Sequence, residues 1–174
     1  MATKNTQLIY YLICELQNHS NFSRSILQQL IVIIDHISYL KTGKQISQFE
    51  KFVTFSWGII PKPTDFFSSI NYLEENKLIK FYQEQIGSKT YGRYAIIDKF
   101  DVNTIAQEEL TLINEIIEDS RDWTSRSINN FYLSSYIVCR AINPEGWSLD
   151  FENTLLTLDD ATESDINWGK KMIN

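Results

Sequence analysis

Between positions 24 and 40 the chain places Ile26, Leu27, Leu30, Ile31, Ile33, Ile34, Ile37 and Leu40. Steps of three and four are the helical period. A surface helix buries one stripe, and this set spreads too far round the axis for that. The spacing predicts a central helix covered on several sides, and the rest of the chain must supply the cover. Ser23 suits its N-cap, its hydroxyl accepting from an early backbone N–H. Gly43, after Thr42, suits the left-handed residue that ends a helix. At 174 residues the chain is the size of about one domain. A chain of this length buries roughly 70% of its unfolded surface and needs no staple.

Other elements follow from period and punctuation. Leu8, Leu12 and Leu16, with Ile9 and Ile13 beside them, predict a short buried helix that Asn18-His19-Ser20-Asn21 breaks. Phe49 to Trp57 reads as strand-like or irregular, and Pro61 and Pro63 bar a continuous helix. Thr64 is the expected cap of a helix carrying Phe66, Phe67, Ile70 and Leu73, with Asn76 at its end. The β-rich runs 78–84 and 91–97, joined through Ile86-Gly87-Ser88-Lys89, predict a hairpin. Thr104 with Gln107 matches a capping box, opening a helix with Ala106, Leu110, Ile113 and Ile117 on one face. Thr124 opens a further helix that Asn143-Pro144-Glu145-Gly146 ends. The expected fold is α+β: one mainly helical domain over 1–156 with a small β-hairpin and a winged-helix-like core. Residues 157–174 form an acidic tail whose Ile166, Trp168 and Met172 suggest a short docking segment.

The formal charge is −6, and its distribution is uneven. Residues 41–99 carry nine basic and six acidic groups, whereas 101–165 carry three basic and fourteen acidic groups. An acidic half disfavours nucleic acid and steers basic protein partners. No apolar run reaches the ~18 residues of a membrane span. The start, Met1 to Leu12, has no secretory cleavage pattern. A soluble cytoplasmic protein is expected. Cys14 and Cys139 give no disulfide framework.

The residue types needed for catalysis are not arranged for it. The chain has no phosphate-binding Gly-rich loop and no nucleophile elbow. Its two cysteines and two histidines, Cys14, Cys139, His19 and His36, lack zinc spacing. His36 and Asp35 read as polar groups at a helix edge, and the cysteines as core residues. Glu74-Glu75, Glu108-Glu109 and Asp159-Asp160 are adjacent pairs that point apart on a helix, unlike the facing carboxylates of a glycosidase. No catalytic, metal or cofactor site is expected.

Three blocks resemble a known family. Leu30 to Ile46 is similar to its apolar helix followed by a Lys-x-Gly-x-x-Ile turn, here Lys41-Thr42-Gly43-Lys44-Gln45-Ile46. Phe52-Val53-Thr54-Phe55-Ser56-Trp57-Gly58-Ile59-Ile60-Pro61 resembles its aromatic–Gly-Pro-Val-Pro segment, with Ile59 where proline is usual. Phe67, Ile70, Leu73, Asn76, Leu78 and Ile79 resemble its next helix and Gly-Leu-Ile exit, with Asn76 and Lys77 near the usual glycine. Further on, Gln107-Glu108-Glu109-Leu110 is similar to its Glu-Glu-Leu helix. The family is the Panacea, or SocA-like, antitoxin domain, and the resemblance covers roughly residues 7–150. The family's Ser/Thr-His pair ahead of a Trp is replaced by Asn129-Asn130-Phe131-Tyr132, with Trp147 further on. The resemblance implies a bacterial or phage antitoxin with no catalytic site, which neutralises a toxin encoded in the same operon by binding it directly. For some members it implies delivery of the toxin to a protease.

Aromatics and charges suited to such a contact are Phe55, Trp57, Pro61, Phe66, Glu108, Glu115, Trp147 and Trp168, since aromatic residues anchor interfaces. The alternative is a winged-helix autoregulator of its own operon, with Lys80, Lys89 and Arg93 of the hairpin on phosphates. The helix before the hairpin disfavours it, because Asp65, Glu74 and Glu75 stand there without a basic residue.

Overall fold

The computed structural model describes residues 2–120 apart from 21, 51, 56 and 57. Its elements in chain order are helices α1 (Lys4–Leu16) and α2 (Arg24–Thr42), strands β1 (Phe52–Phe55) and β2 (Gly58–Pro61), helix α3 (Pro63–Glu75), strands β3 (Ile79–Ile86) and β4 (Lys89–Ile96), and helix α4 (Gln107–Asp119). The described part is therefore mixed α+β and mainly helical. The helix expected from Thr124 and the tail from 157 lie outside the described residues.

α2 has both expected ends. Ser23 Oγ accepts from Ile26 N at 3.3 Å, and Gly43 is left-handed at φ 73° with its N–H on Tyr39 O. Leu27, Leu30, Ile31, Val32, Ile33 and Ile34 are all buried, and so are the polar Gln28, Gln29, Asp35 and His36. An element buried on every side is the central helix that its sequence demands. It packs against α1, β2, β4 and α4.

α1 begins one turn earlier than the leucine spacing suggests. Thr3 caps it, its hydroxyl accepting from Thr6 N at 3.2 Å. One side of α1 is apolar, with Leu8, Leu12 and Leu16 in the core. Its polar groups satisfy backbone from four distant places. Asn5 Oδ1 accepts from Gln48 N at 2.6 Å, Gln7 Oε1 from Asn103 N and Thr104 N, and Gln17 Oε1 from Ile96 N at 3.1 Å. Tyr10 donates to Asp98 O at 2.8 Å and accepts from Phe100 N. Loop backbone inside the protein must find such partners, and α1 provides them where no strand can.

Two helix starts differ from expectation. α3 starts at Pro63, not behind a Thr64 cap. Proline is preset for the first helical turn and lacks only an N–H that would be unpaired there. α4 is capped at Ala106, not Thr104, and Glu109 reaches back to accept from Ala106 N at 2.9 Å. α3 ends in a Schellman motif, with Leu78 N on Leu73 O and Lys77 N on Glu74 O, both at 2.9 Å. Lys77 therefore sits left-handed at φ 56°.

β3 and β4 form the expected antiparallel hairpin, registered from Ile79↔Ile96 to Ile86↔Lys89. Its turn, Gly87-Ser88, has a positive φ at the glycine alone, the pattern of a type II′ turn. The segment expected to be strand-like or irregular holds strand β1, which pairs with β2 in a second hairpin, Phe52 with Pro61 and Phe55 with Gly58. Pro61 closes β2 at the far end of this pair, where a missing N–H is tolerated.

Candidate interaction surface

The loop between α2 and β1 is held from beneath by a carboxylate. Asp35 is fully buried. Its Oδ1 accepts from Ile46 N at 3.1 Å and Ser47 N at 2.8 Å, and its Oδ2 accepts from Ser47 Oγ and from Gln45 Nε2. The same loop buries Ile46, Phe49 and Phe52 against the core. Burial pushes Asp35 up to about 6, the four hydrogen bonds pulling against it. The sequence reading put Asp35 and His36 at a helix edge; both are at the centre of the protein. Burial also depresses His36 to about 3, so its imidazole is neutral. Cys14, half-buried, has its thiol pushed up by desolvation, which disfavours the nucleophilic thiolate.

The expected interface residues fall in different places. Phe66 is fully buried and belongs to the core, in edge contact with Phe67 at 5.3 Å between ring centroids. Pro61 is buried as well. Of Phe55 the structure describes the backbone, at the end of β1. Trp57, Trp147 and Trp168 lie outside the described residues. Glu108 and Glu115 are exposed on α4, and Glu115 stands 3.8 Å from Lys41 across to α2. Glu109 faces Lys4 at 2.7 Å as well as capping its own helix.

The three basic hairpin residues separate. Lys80 and Lys89 are exposed. Arg93 is buried, its guanidinium donating to His19 O at 3.2 Å and Ser20 O at 2.6 Å and pairing with Glu84 at 2.7 Å. It ties the hairpin to the turn between α1 and α2, so it does not present its charge to solvent. The signal for this lay in the non-glycine polar turn 18–21, whose carbonyls need donors.

A second cation was not singled out by its sequence. Arg24, exposed in the first turn of α2, lies 5.7 Å over the ring centroids of both Phe67 and Phe81. Phe81 in turn packs on Tyr94 at 5.4 Å and lies against Gly92, where a Cβ would come within 2.8 Å of the ring. Glu74 Oε1 accepts from Phe81 N at 3.1 Å and fixes the strand at that point. Tyr94 is pushed up to about 12 by burial, the nearby Arg24 charge offsetting part of this. Phe81 keeps 39% of its surface in water. Four elements, α2, α3, β3 and β4, thus build one aromatic–cation patch.

Among the described residues, no group of three or more His, Cys, Asp or Glu is placed to hold a metal ion. No helix among them is long and apolar enough to cross a membrane. No family model, curated protein or solved structure matches the chain.

Proposed function

We propose that this chain is an antitoxin: a protein that neutralises a toxin encoded beside it by binding it directly, with no reaction of its own. The observation that carries the reading is the order and spacing of the sequence blocks that resemble those of Panacea, or SocA-like, domains. Those blocks coincide with structural joints. The Lys-x-Gly turn is the left-handed end of α2 at Gly43. The aromatic–Pro segment spans β1 and β2. Lys77, near the place at the helix exit where the family usually carries glycine, has the conformation that favours glycine. The Glu-Glu-Leu block opens α4. An exposed aromatic–arginine patch and an acidic helix are surfaces suited to a protein partner. Handing the bound toxin to a protease is a further role that such a binder supports.

The test is co-expression with the neighbouring reading frame, scoring growth and co-purification together. A neighbour that is toxic alone, tolerated with this chain and copurified with it supports the reading. A harmless neighbour, or rescue without a complex, overturns it.

One observation favours a second reading, an autoregulator of its own operon. The hairpin that follows α3 carries Lys80 and Lys89 in solvent, as a phosphate-contacting wing of a winged helix would. Against it, α3 has no basic residue, and Arg93 is engaged inside the protein. Binding to the operon's own promoter that weakens steeply with salt would favour this reading over the first.

A further inference from the structure

We propose that Arg24, Phe67 and Phe81 form the anchor of the partner interface, and that the partner supplies a carboxylate side chain to Arg24 with apolar contact around it. This inference rests on the antitoxin reading for the identity of the partner. Among the described residues Arg24 makes no ion pair. On α3, Glu74 Oε1 accepts from Phe81 N. Arg24 is exposed as a residue, and its guanidinium, lying over two rings and beside the Tyr94 hydroxyl, has already given up much of its rotamer freedom. Its N–H fork is then pre-organised for a planar oxyanion. Cation–π contact holds it there before any partner arrives.

The patch is rigid where a binding anchor needs to be. Phe81 is pinned through its backbone by Glu74, through its ring by Tyr94, and over Gly92 by the absence of a side chain. Ordering costs on binding are correspondingly small. Arginine and aromatic residues with partly open apolar surface are the types that dominate interface energetics.

The charges nearby decide between a protein and a nucleic acid. A phosphate backbone needs a run of cations; α3 beside the patch offers Asp65, Glu74 and Glu75 and no basic residue, and β3 adds the single cation Lys80. A single carboxylate on an otherwise apolar partner surface needs only the one guanidinium, and Phe67 and Phe81 receive what surrounds it.

The experiment measures affinity of the purified full chain for the protein encoded by the adjacent reading frame, with wild type, Arg24→Ala, Arg24→Lys, Phe81→Leu and Lys44→Ala. Circular dichroism of each variant checks that it is folded. Arg24→Lys keeps the charge and the helix start, so it reports on the planar fork even where Arg24→Ala loses stability. Expected is a loss of about thirtyfold or more for Arg24→Ala. A smaller loss is expected for Arg24→Lys and Phe81→Leu, and a change within about threefold for the distant, exposed Lys44→Ala. Wild-type binding with Arg24 and Phe81 variants within threefold overturns the anchor and leaves the antitoxin reading intact. No wild-type binding overturns that reading, and the anchor with it. Promoter DNA bound by wild type and lost in Arg24→Ala overturns the carboxylate assignment in favour of phosphate.

Discussion

The Asp35 carboxylate accepts both the backbone N–H of Ser47, at 2.8 Å, and its hydroxyl, and so joins the middle of α2 to the loop that leads into β1. Removing it leaves the N–H groups of Ile46 and Ser47 buried and unmet. Asp35→Ala is expected to lower stability by about 2–4 kcal/mol, from lost donors and the cavity together. Asp35→Asn keeps the shape and one acceptor and is expected to lose less. Urea denaturation of the two variants checks the order. Equal losses would show that the hydrogen bonds are not what holds the loop.

Asp35 and His36 act oppositely on acid stability. Asp35 is raised by burial from 3.8 to about 6, so the native state holds more protons between these values. Its contribution is full below pH 4 and is lost as pH rises through 6. His36 is depressed by burial from 6.5 to about 3, so the unfolded state holds more protons in that window. Its contribution is full above pH 6.5 and is lost as pH falls towards 3. The two slopes oppose one another between pH 4 and 6, and below pH 4 only that of His36 remains. His36→Gln should therefore lose less stability than wild type on acidification, the difference growing steadily from pH 6.5 to about 3. Denaturant midpoints of both proteins at pH 7, 5, 4 and 3 give the comparison, and parallel curves would sink the assignment.

The sequence was most informative where one local rule governed the outcome. The apolar spread of 26–37 announced a helix covered all round, and Ser23 and Gly43 marked its ends. The β3–β4 hairpin was legible from its β-rich runs and its glycine turn. Starts were misread where two signals competed. At α3 the preset φ of Pro63 won over the hydroxyl of Thr64, and at α4 Glu109 reached back from the third helical position instead of Thr104 reaching forward. The β1–β2 hairpin has no glycine pair or alternation to announce it, and its pairing depends on contact with α2. The patch was illegible for the same reason. Arg24, Phe67, Phe81 and Gly92 come from four elements, and nothing local in the sequence joins them. Asp35 carries its own signal in the sequence: a carboxylate amid a helix apolar on all sides has to be paired.

Lys77 is a non-glycine residue held left-handed at φ 56° to complete the Schellman motif after α3. Such a conformation costs an ordinary residue roughly 1 kcal/mol. Lys77→Gly is expected to stabilise the protein by about 0.5 kcal/mol, less than the full relief because glycine also loosens the unfolded chain. Gly43→Ala is the converse. It has nothing within 4 Å of an added Cβ, so a destabilisation of about 1 kcal/mol there would be conformational alone. Thermal melts of the two variants should move in opposite directions. Movement of both the same way would refute the assignment.

Arg93 offers a direct test of structural against phosphate-contacting roles on one hairpin. Its guanidinium serves two carbonyls of the α1–α2 turn as well as Glu84, which is itself partly in solvent. Arg93→Ala takes the side-chain donor from Ser20 O, leaves His19 O with Phe22 N alone, and is expected to destabilise by about 2–3 kcal/mol. Lys80→Ala and Lys89→Ala, both exposed, should change stability by less than about 0.5 kcal/mol. Denaturant midpoints for the three variants decide it. Near-equal effects would mean that the buried fork contributes nothing to holding the hairpin.

The acidic face of α4 is narrower than its sequence suggests. Glu109 is engaged with Lys4 and with its own helix start, so reversing it would damage the fold and confuse any binding result. Glu108 and Glu115 are exposed, and the pair that Glu115 makes with Lys41 at 3.8 Å is a surface contact worth little. Glu108→Lys with Glu115→Lys therefore changes the field of that face by four charges at small cost in stability. Rim charges act on encounter more than on residence. If a basic partner approaches this face, the double variant should associate several-fold more slowly and lose its salt dependence, with dissociation little changed. Association kinetics at low and physiological salt, for the wild type and the double variant against the protein of the adjacent reading frame, measure this. An unchanged association rate would place the approach elsewhere on the molecule, and the Arg24 patch, whose one carboxylate contact governs dissociation, would be tested independently by its own off-rate.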